Sequence, residues 1–389
     1  MISFDNTKIA FQSKSDKDLK RAYWLFKIIA NPTVVKIGKT LTNIALQLRL
    51  PISKPVKATI FRQFCGGESI AECSETIANL GKFNVGTILD YSVEGKTSDE
   101  DFDKTVDIII STIERAKNDP NIPFAVFKVT GIGRFEVIEK AANNQEVGEK
   151  TEQEIKLIEN RIDRIAKAAF EANVPLFIDA EETWIQDAID RWTFEAMLKY
   201  NKEKPIVYNT LQMYRHDRLE FLKQQLELAK EHGIVYGVKL VRGAYMEKER
   251  ERAEQKGYLS PIQPNKESCD WDYDSALKFI VQNHHHFALC AGTHNEKSSL
   301  LLTELLEKRQ IDSKHPHFYF AQLLGMSDHI SYNLSNANFN VAKYVPFGPV
   351  REVMPYLLRR ADENTSVAGQ TGRELSLIQK ELKRRRTIN

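Results

Sequence analysis

Two adjacent arginines, Arg359 and Arg360, stand in the run Tyr356-Leu-Leu-Arg-Arg-Ala-Asp-Glu363-Asn364, and paired guanidinium groups do the chemistry of anion recognition. A planar guanidinium meets a carboxylate through two parallel N–H donors, which the point charge of a lysine cannot do. Val353, Tyr356, Leu357 and Arg360 follow i, i+3, i+4, i+7 spacing, so the run predicts a helix with these four on one face. Successive helical residues splay by about 100°, and an unremarkable helix would leave both arginines in water. Here an apolar run, 341–348, lies just upstream and ends in Gly348. Strand, glycine turn, then a helix bearing Tyr and Arg-Arg is how an α/β protein can build a carboxylate clamp. The plainer alternative, a solvated surface helix with i,i+4 charge pairs, stays open on these residues alone.

The elements that must position such a clamp follow from periodicity. Short β-branched and aromatic runs at 84–91, 123–132, 174–180, 205–214, 237–245, 286–294, 317–324 and 340–348 alternate with longer helical segments. This alternation implies right-handed βαβ units and a parallel sheet. Eight such units predict a closed (β/α)8 barrel rather than an open doubly wound sheet. Residues 1–80 read as an N-terminal helical region, with helices over 19–30, 32–48, 55–64 and 69–80, the last capped by Ser69 and stopped by Gly81. The barrel is expected over 81–370, and a basic helical tail over 371–389. Two charge-rich inserts, 134–160 and 247–273, read as solvated helices or loops beside the barrel.

In a barrel of this kind the site is built at the C-terminal ends of the strands. Those ends carry Asp90 and Glu94; Lys128; Asp179, Glu181 and Glu182; Gln212 and Tyr214; Lys239, Arg242 and Tyr245; Thr293, His294 and Asn295; Gln322 and Leu323; and Tyr344. So many polar and aromatic groups exceed what a structural barrel needs. No His, Cys or Asp cluster has metal-ligand spacing, and His284-His285-His286 would alternate faces in a strand, so no metal is expected. Gly131-Ile-Gly133 lacks the third glycine of a dinucleotide fingerprint, and neither a Walker motif nor a GxSxG elbow occurs. Lys128, inside an apolar strand, has two readings: a Schiff-base lysine of a lyase, or a lysine paired with Asp90 or Asp179. Either way a partner is expected, because an isolated buried ammonium is costly.

Composition narrows the classes further. The 389 residues carry 55 basic and 53 acidic side chains, a formal net charge of +2, with no excess to track nucleic-acid phosphates. Cys65, Cys73, Cys269 and Cys290 show no CxxC spacing and read as reduced thiols of a cytoplasmic protein. The first residues hold no apolar h-region, and no run of 18 apolar residues occurs, so neither a signal peptide nor a membrane span is expected.

The ordered motifs Phe4-Asp5-Asn6, Leu89-Asp90-Tyr91-Ser92-Val93-Glu94, Lys239-Leu-Val-Arg-Gly-Ala-Tyr245, Gln322-Leu-Leu-Gly-Met326 and Tyr356–Asn364 resemble the proline dehydrogenase family over nearly the whole chain. The likeness is to the monofunctional type. The resemblance implies a distorted barrel whose last helix caps the mouth, non-covalent FAD, L-proline as substrate and a hydride passing from proline C5 to flavin N5. It implies a membrane quinone as electron acceptor, hence a peripheral contact at the inner face of the cell membrane. By the same resemblance Arg359 and Arg360 hold the carboxylate, and Tyr245, Leu323, Tyr344 and Tyr356 wall the ring. Lys128 pairs with Asp90 beside the carboxylate, and Glu94 ion-pairs with the first arginine to close the site. Asp179, Gln212, Lys239, Val241, Gly243, Ala244, Thr293, His294, Asn295, Arg360 and Glu363 match flavin-contacting positions. Where the bifunctional type has arginine this chain has Lys239, a point charge in place of a fork.

Three rivals remain beside that reading: a hydroxyproline dehydrogenase of the same fold, a Schiff-base lyase using Lys128, and a non-enzymatic binding protein. A small residue in place of Tyr344 would favour the first, because a 4-hydroxyl needs room. A candidate membrane contact is the C-terminal helix, where Leu375, Ile378 and Leu382 lie at helical spacing ahead of Lys383-Arg-Arg-Arg386; the plainer alternative is a solvated last turn whose cations complement the helix dipole.

Overall fold

A computed structural model describes residues 2–48, 52–93, 95–143, 146–366 and 370–387, the side chains of 43–47, 362–366, 370 and 371 excepted. The chain opens with helices: α1 (Thr7–Ala10), α2 (Asp16–Ile29), α3 (Pro32–Gln47), α4 (Ser53–Val56), α5 (Arg62–Phe64) and α6 (Ser74–Gly81). Strands and helices then alternate as β1 (Val85–Tyr91), α7 (Asp99–Lys117), β2 (Phe124–Lys128), α8 (Phe135–Ala142), α9 (Glu149–Ala172), β3 (Leu176–Asp179), α10 (Thr183–Tyr200) and β4 (Val207–Gln212). They continue as α11 (Arg218–His232), β5 (Tyr236–Val241), α12 (Met246–Lys256), α13 (Lys266–Gln282), β6 (Phe287–Gly292), α14 (Glu296–Lys308), β7 (Phe318–Leu323), α15 (Asp328–Asn336) and β8 (Val341–Phe347). Two helices end the chain, α16 (Met354–Ser366) and α17 (Gln370–Arg386). The strand order β1-β2-β3-β4-β5-β6-β7-β8 closes on itself, and the pairs are parallel, as eight βα units require.

All eight expected strands exist, but several stop short of the apolar pattern. Val129–Gly131 is a 3-10 turn rather than strand, and Tyr245 is the N-cap residue of α12. Apolar residues continue into the turns because they pack there, while ladder hydrogen bonding ends once the chain bends away. Ser69 does not cap a helix: α6 starts five residues later, at Ser74, without a side-chain cap, and Gly81 is its last residue. The Ser69 hydroxyl instead accepts from the Glu72 backbone N–H within a turn. The stretch 55–64 is helical but broken, with a π-helical segment Lys57–Phe61 between α4 and α5. The two inserts are helices: α8 and the start of α9 in one, most of α12 and the start of α13 in the other.

Contacts divide the chain into two compact units, Met1–Glu94 with Gln322–Asn389, and Gly95–Ala321. In the second unit Phe124 stacks on Phe177 at 4.3 Å and meets Tyr319 edge-on at 4.8 Å and Tyr208 at 5.6 Å. These residues come from the first halves of β2, β3, β4 and β7, so they fill the strands' N-terminal layer and leave polar groups for the opposite ends. In the first unit, β1 and β8 pair in register from Val85↔Val341 to Tyr91↔Phe347. There the two ends of the chain share one core: Leu19, Ala22 and Phe26 of α2 pack with Phe61, Phe64, Val353, Tyr356 and Leu357, and with Leu377 and Ile378 of α17.

That core corrects the expectation for the C-terminal helix. Leu377 and Ile378 are buried, and Leu375 and Leu382 lean on the same cluster. Arg384 and Arg385 both bond Glu381, and Arg385 also reaches Asp16 and the backbone carbonyls of Phe11 and Lys14. The apolar face of α17 is therefore an intramolecular packing surface. A helix cannot give the same face to its own core and to a bilayer.

Candidate active site

In the first unit the clamp residues follow from a single turn. Gly348 ends β8 at φ +143°, and a Cβ there would lie 3.0 Å from both Val353 and Val93. That conformation is open to glycine at little cost and strains other residues. Residues 66–68 brace the turn: Gly66 N donates to Pro346 O at 2.9 Å, Gly348 N to Gly67 O at 3.2 Å, and Val350 N to Glu68 Oε1 at 3.2 Å. The chain then enters α16. Tyr356 and Arg360, one turn apart, are both buried, with the Arg360 guanidinium 5.1 Å from the Tyr356 ring centroid. Arg359, the next residue round the helix, is half-buried. A guanidinium over an aromatic face keeps its edge donors directed sideways, as a carboxylate ligand needs.

Tyr344 is buried in β8 and in register with Ile88 of β1, two residues before Asp90. Strand periodicity puts Asp90 and Tyr344 on the same face of this pair. Asp90 is buried and accepts from Ser92 Oγ at 2.6 Å. Leu323 ends β7, half-buried against the α2–α16 core; the next residue, Leu324, donates its N–H to Tyr344 O at 2.8 Å. Glu94 lies outside the described residues, as does the side chain of Glu363 on α16.

The second unit gathers the remaining expected residues. Lys239, 4% exposed near the end of β5, forms an ion pair with Asp179 at the end of β3 and lies 5.3 Å from the Phe177 ring centroid. Gln212, at the end of β4, donates to Glu181 O at 2.7 Å and accepts from Ala244 N at 3.3 Å. Its amide thereby joins the loops after β3 and β5. Val241 is half-buried, whereas Gly243 and Ala244 expose their backbone. Gly243 has φ +139°, and a Cβ there would meet the Tyr214 ring at 2.5 Å, so this position tolerates no side chain. Thr293 is buried after β6, and its hydroxyl accepts from Asn295 N at 3.1 Å. Asn295 caps α14 by accepting from Lys297 N and Ser298 N, with His294 half-buried beside it. Tyr245 is half-buried, and Lys128 is half-buried at the end of β2, in register with Asp179.

Two strand-end residues to which the resemblance assigns no role organise this unit. Arg242 donates to Asp270 Oδ1 at 2.7 Å, Thr293 Oγ1 at 2.7 Å and Ser298 Oγ at 2.9 Å, with its guanidinium 4.4 Å from the Tyr273 ring centroid. It ties β5 to the turn after β6. Its signal was its place inside the Lys239–Tyr245 motif. Glu181 is 3% exposed and accepts from the Thr130 N–H at 3.0 Å and from the Thr130 hydroxyl. Burial pushes its carboxyl up to about 7, against the opposing pull of Thr130 and of the nearby Lys128 charge. The inserts add an outer layer: Glu249 of α12 accepts from Thr183 N at 2.7 Å and Thr183 Oγ1 at 2.6 Å, and Lys248 pairs with Glu182. Arg252 of α12 meets Glu139 of α8 and lies 4.2 Å from the Trp184 ring centroid.

The donor set fits a flavin cofactor. Gly243 and Ala244 are exposed in the loop after β5, and the packing of Tyr214 against Gly243 sets the course of that loop. Lys239 supplies a buried cation near the end of β5, and Thr293, His294 and Asn295 stand at the N-terminus of α14, the positive end of that helix's dipole.

The proline dehydrogenase family model matches residues 73–373. Proline dehydrogenase 1 (mitochondrial) of Dictyostelium discoideum is 34% identical over 99% of this chain and 75% of its own length. Hydroxyproline dehydrogenase of Xenopus laevis is 29% identical over 99% of this chain and 90% of its own length. Among solved structures, proline utilization A from Bdellovibrio bacteriovorus superimposes with a TM-score of 0.73 at 20% identity, covering 92% of this chain. This chain corresponds to 38% of that longer protein, and the likeness speaks for the fold alone. The family match and the Dictyostelium relative together settle membership: the chain belongs to the proline dehydrogenase family.

Proposed function

We propose that this protein oxidises L-proline to Δ1-pyrroline-5-carboxylate with a non-covalently held FAD and delivers the electrons to a membrane quinone. The observation that carries the reading is the buried Arg360 guanidinium stacked on Tyr356 on the helix after β8, with Arg359 beside it. Arg359 and Arg360 hold the carboxylate. Tyr344, Tyr356, Leu323 and Tyr245 pack the ring, and Asp90 and Lys128 hold charge at the ends of β1 and β2. Gln212, Val241, Gly243, Ala244, Thr293, His294 and Asn295 hold the flavin, together with Arg360 and Glu363. The bound flavin supplies the two-electron acceptor for the hydride leaving proline C5. Lys239, kept in place by Asp179, puts a cation at the end of β5, and that charge favours electron gain by a group bound there. The nitrogen must be neutral for C5 to release a hydride, and the amine proton passes to water.

Two features support this substrate and setting. Tyr344 is bulky and buried where a 4-hydroxyl would need space, which favours proline over hydroxyproline. Among the described residues no helix is long and apolar enough to cross a membrane, so a quinone acceptor calls for a peripheral contact at the inner membrane face. Anaerobic addition of proline to the yellow protein should bleach the oxidised flavin band and release one equivalent of the pyrroline product. Colourless protein, or a flavin band indifferent to proline, would refute the assignment.

A further inference from the structure

The N-terminal helical region carries a charge and exposure pattern that the site does not use. From residue 19 to residue 67 the chain has nine basic residues, Lys20, Arg21, Lys27, Lys36, Lys39, Arg49, Lys54, Lys57 and Arg62, and no acidic one. The whole protein has 55 basic and 53 acidic side chains, so the rest of the chain is net acidic. On this basic segment stand half of the large exposed apolar groups among the described residues. On α2, Leu19, Ala22, Phe26 and Ile29 are buried in the core, while Trp24 is 58% and Ile28 52% exposed one turn apart on the outer side. On α3, Val34, Ile37 and Leu41 repeat at i, i+3, i+7 and are 44%, 55% and 61% exposed, and Leu48 follows at 65%. Asn31 joins the two helices by capping α3, its side chain accepting from Thr33 N and Val34 N. Lys20, Lys27 and Lys36 are exposed around this surface, and the Lys27 ammonium lies 5.0 Å from the Trp24 ring centroid.

We infer that the outer face of α2 and α3 docks on an anionic lipid surface, with Trp24, Ile28, Val34, Ile37 and Leu41 entering the headgroup boundary. An apolar helical face rimmed by lysines, with an amphipathic indole at its centre, is the composition of an interfacial helix. A second copy of this chain is the weaker occupant. A two-fold contact sets the same patch against itself, and the exposed Lys20, Lys27 and Lys36 around it would then face their own charge. An anionic bilayer meets both halves of the pattern, apolar and basic. The quinone role of this contact rests on the proposed function, whereas the binding itself does not.

The test uses the full flavin-loaded chain with vesicles of phosphatidylcholine, with or without phosphatidylglycerol. The protein should co-sediment only with the anionic vesicles and be released by salt. Trp24→Ser/Ile37→Ser/Leu41→Ser and Lys20→Glu/Lys27→Glu/Lys36→Glu alter exposed side chains, so both variants should fold. Each should lose about tenfold or more in partitioning. Turnover of proline with a soluble dye should stay unchanged, while turnover with vesicle-embedded quinone should drop with partitioning. Binding unaffected by both variants, or equal on neutral vesicles, overturns the assignment. So does a wild-type dimer in light scattering that either variant converts to monomer without any vesicle binding. Absence of dye turnover in the wild type would instead refute the proposed activity and leave the vesicle result to stand on its own.

Discussion

At the scale of single residues, the clamp and the ring wall make separable demands. Arg359→Met and Arg360→Met should each raise KM for proline about 10–100-fold, because a hydrogen bond to a charged group contributes roughly 1.5–3 kcal/mol. Flavin content should persist, least securely in Arg360→Met, whose guanidinium is the more buried. Normal KM in both variants would remove the carboxylate from this helix. Tyr344→Ser should lower kcat/KM for proline and raise the ratio for trans-4-hydroxyproline over proline; an unmoved ratio would place Tyr344 away from the ring. Glu181 adds a pH signature. Its carboxyl is raised to about 7 by burial, so the folded state keeps a proton that the unfolded state loses in the ordinary carboxylate range. Its contribution to stability is therefore complete at acid pH and declines as pH rises towards 7. Glu181→Gln should flatten that stretch of the stability curve in urea melts, and an unchanged slope would assign the titration to another group. The helix carrying Arg359 and Arg360 and the polar ends of the strands were legible in the sequence from residue type and spacing, whereas the roles proposed for them come from the family resemblance. Glu181 was visible only as one of several acids after β3. Its partnership with Thr130 joins residues 51 apart, which no local pattern records.

At the scale of elements, a buried charge network secures the turn after β7 that carries Leu323. Lys343 of β8 donates to Met326 O at 2.6 Å and to Asp328 Oδ1 at 2.7 Å, Lys14 reaches Asp328 Oδ2 at 3.1 Å, and Glu374 of α17 accepts from Ser327 N at 3.1 Å. Burial alone would raise the Asp328 carboxyl, but Lys14 and Lys343 outweigh it and hold it below its ordinary value. Stability from this group is present above the ordinary carboxylate range and is lost as pH falls below it. Lys343→Met should cost about 1–3 kcal/mol, because it leaves the buried Asp328 carboxylate to Lys14 alone. Lys343→Met/Asp328→Leu should cost less than the sum of the two single variants, as a double-mutant cycle by urea melts would show; a double-variant cost equal to that sum would mean that the pair is not coupled. None of this could be read from Lys343, which sits in the sequence as one polar residue in an apolar strand. The strands themselves were legible because eight apolar runs with helical spacers leave few topologies. The C-terminal helix was read by its amphipathicity alone, and amphipathicity does not say which apolar partner covers a face. Here α2 covers it.

At the scale of the whole molecule, the proposed roles divide largely along the two compact units, with Arg360 and Glu363 of the first also proposed for the flavin and Tyr245 and Lys128 of the second for the substrate. Arg359, Arg360, Tyr344, Tyr356 and Leu323 belong to the unit built from both chain ends, while Asp179, Gln212, Lys239, Gly243 and Thr293–Asn295 belong to residues 95–321. The first unit exists only once distant segments have met, since β1 pairs with β8 and α2 packs with α17. Contacts between such distant segments cost loop-closure entropy before they reward it. A ligand that binds only the folded state stabilises it by mass action, by about 2.7 kcal/mol at a hundredfold excess over Kd. If the roles divide as proposed, the two ligands should stabilise through different residues. FAD added to flavin-stripped protein should raise the melting midpoint of the wild type and of Arg359→Met alike. Proline added to the chemically reduced holoprotein, which binds it without turnover, should raise the midpoint of the wild type and leave Arg359→Met unmoved. An Arg359→Met protein that loses the FAD shift would make Arg359 a cofactor residue. One that keeps the proline shift would put the carboxylate outside the clamp.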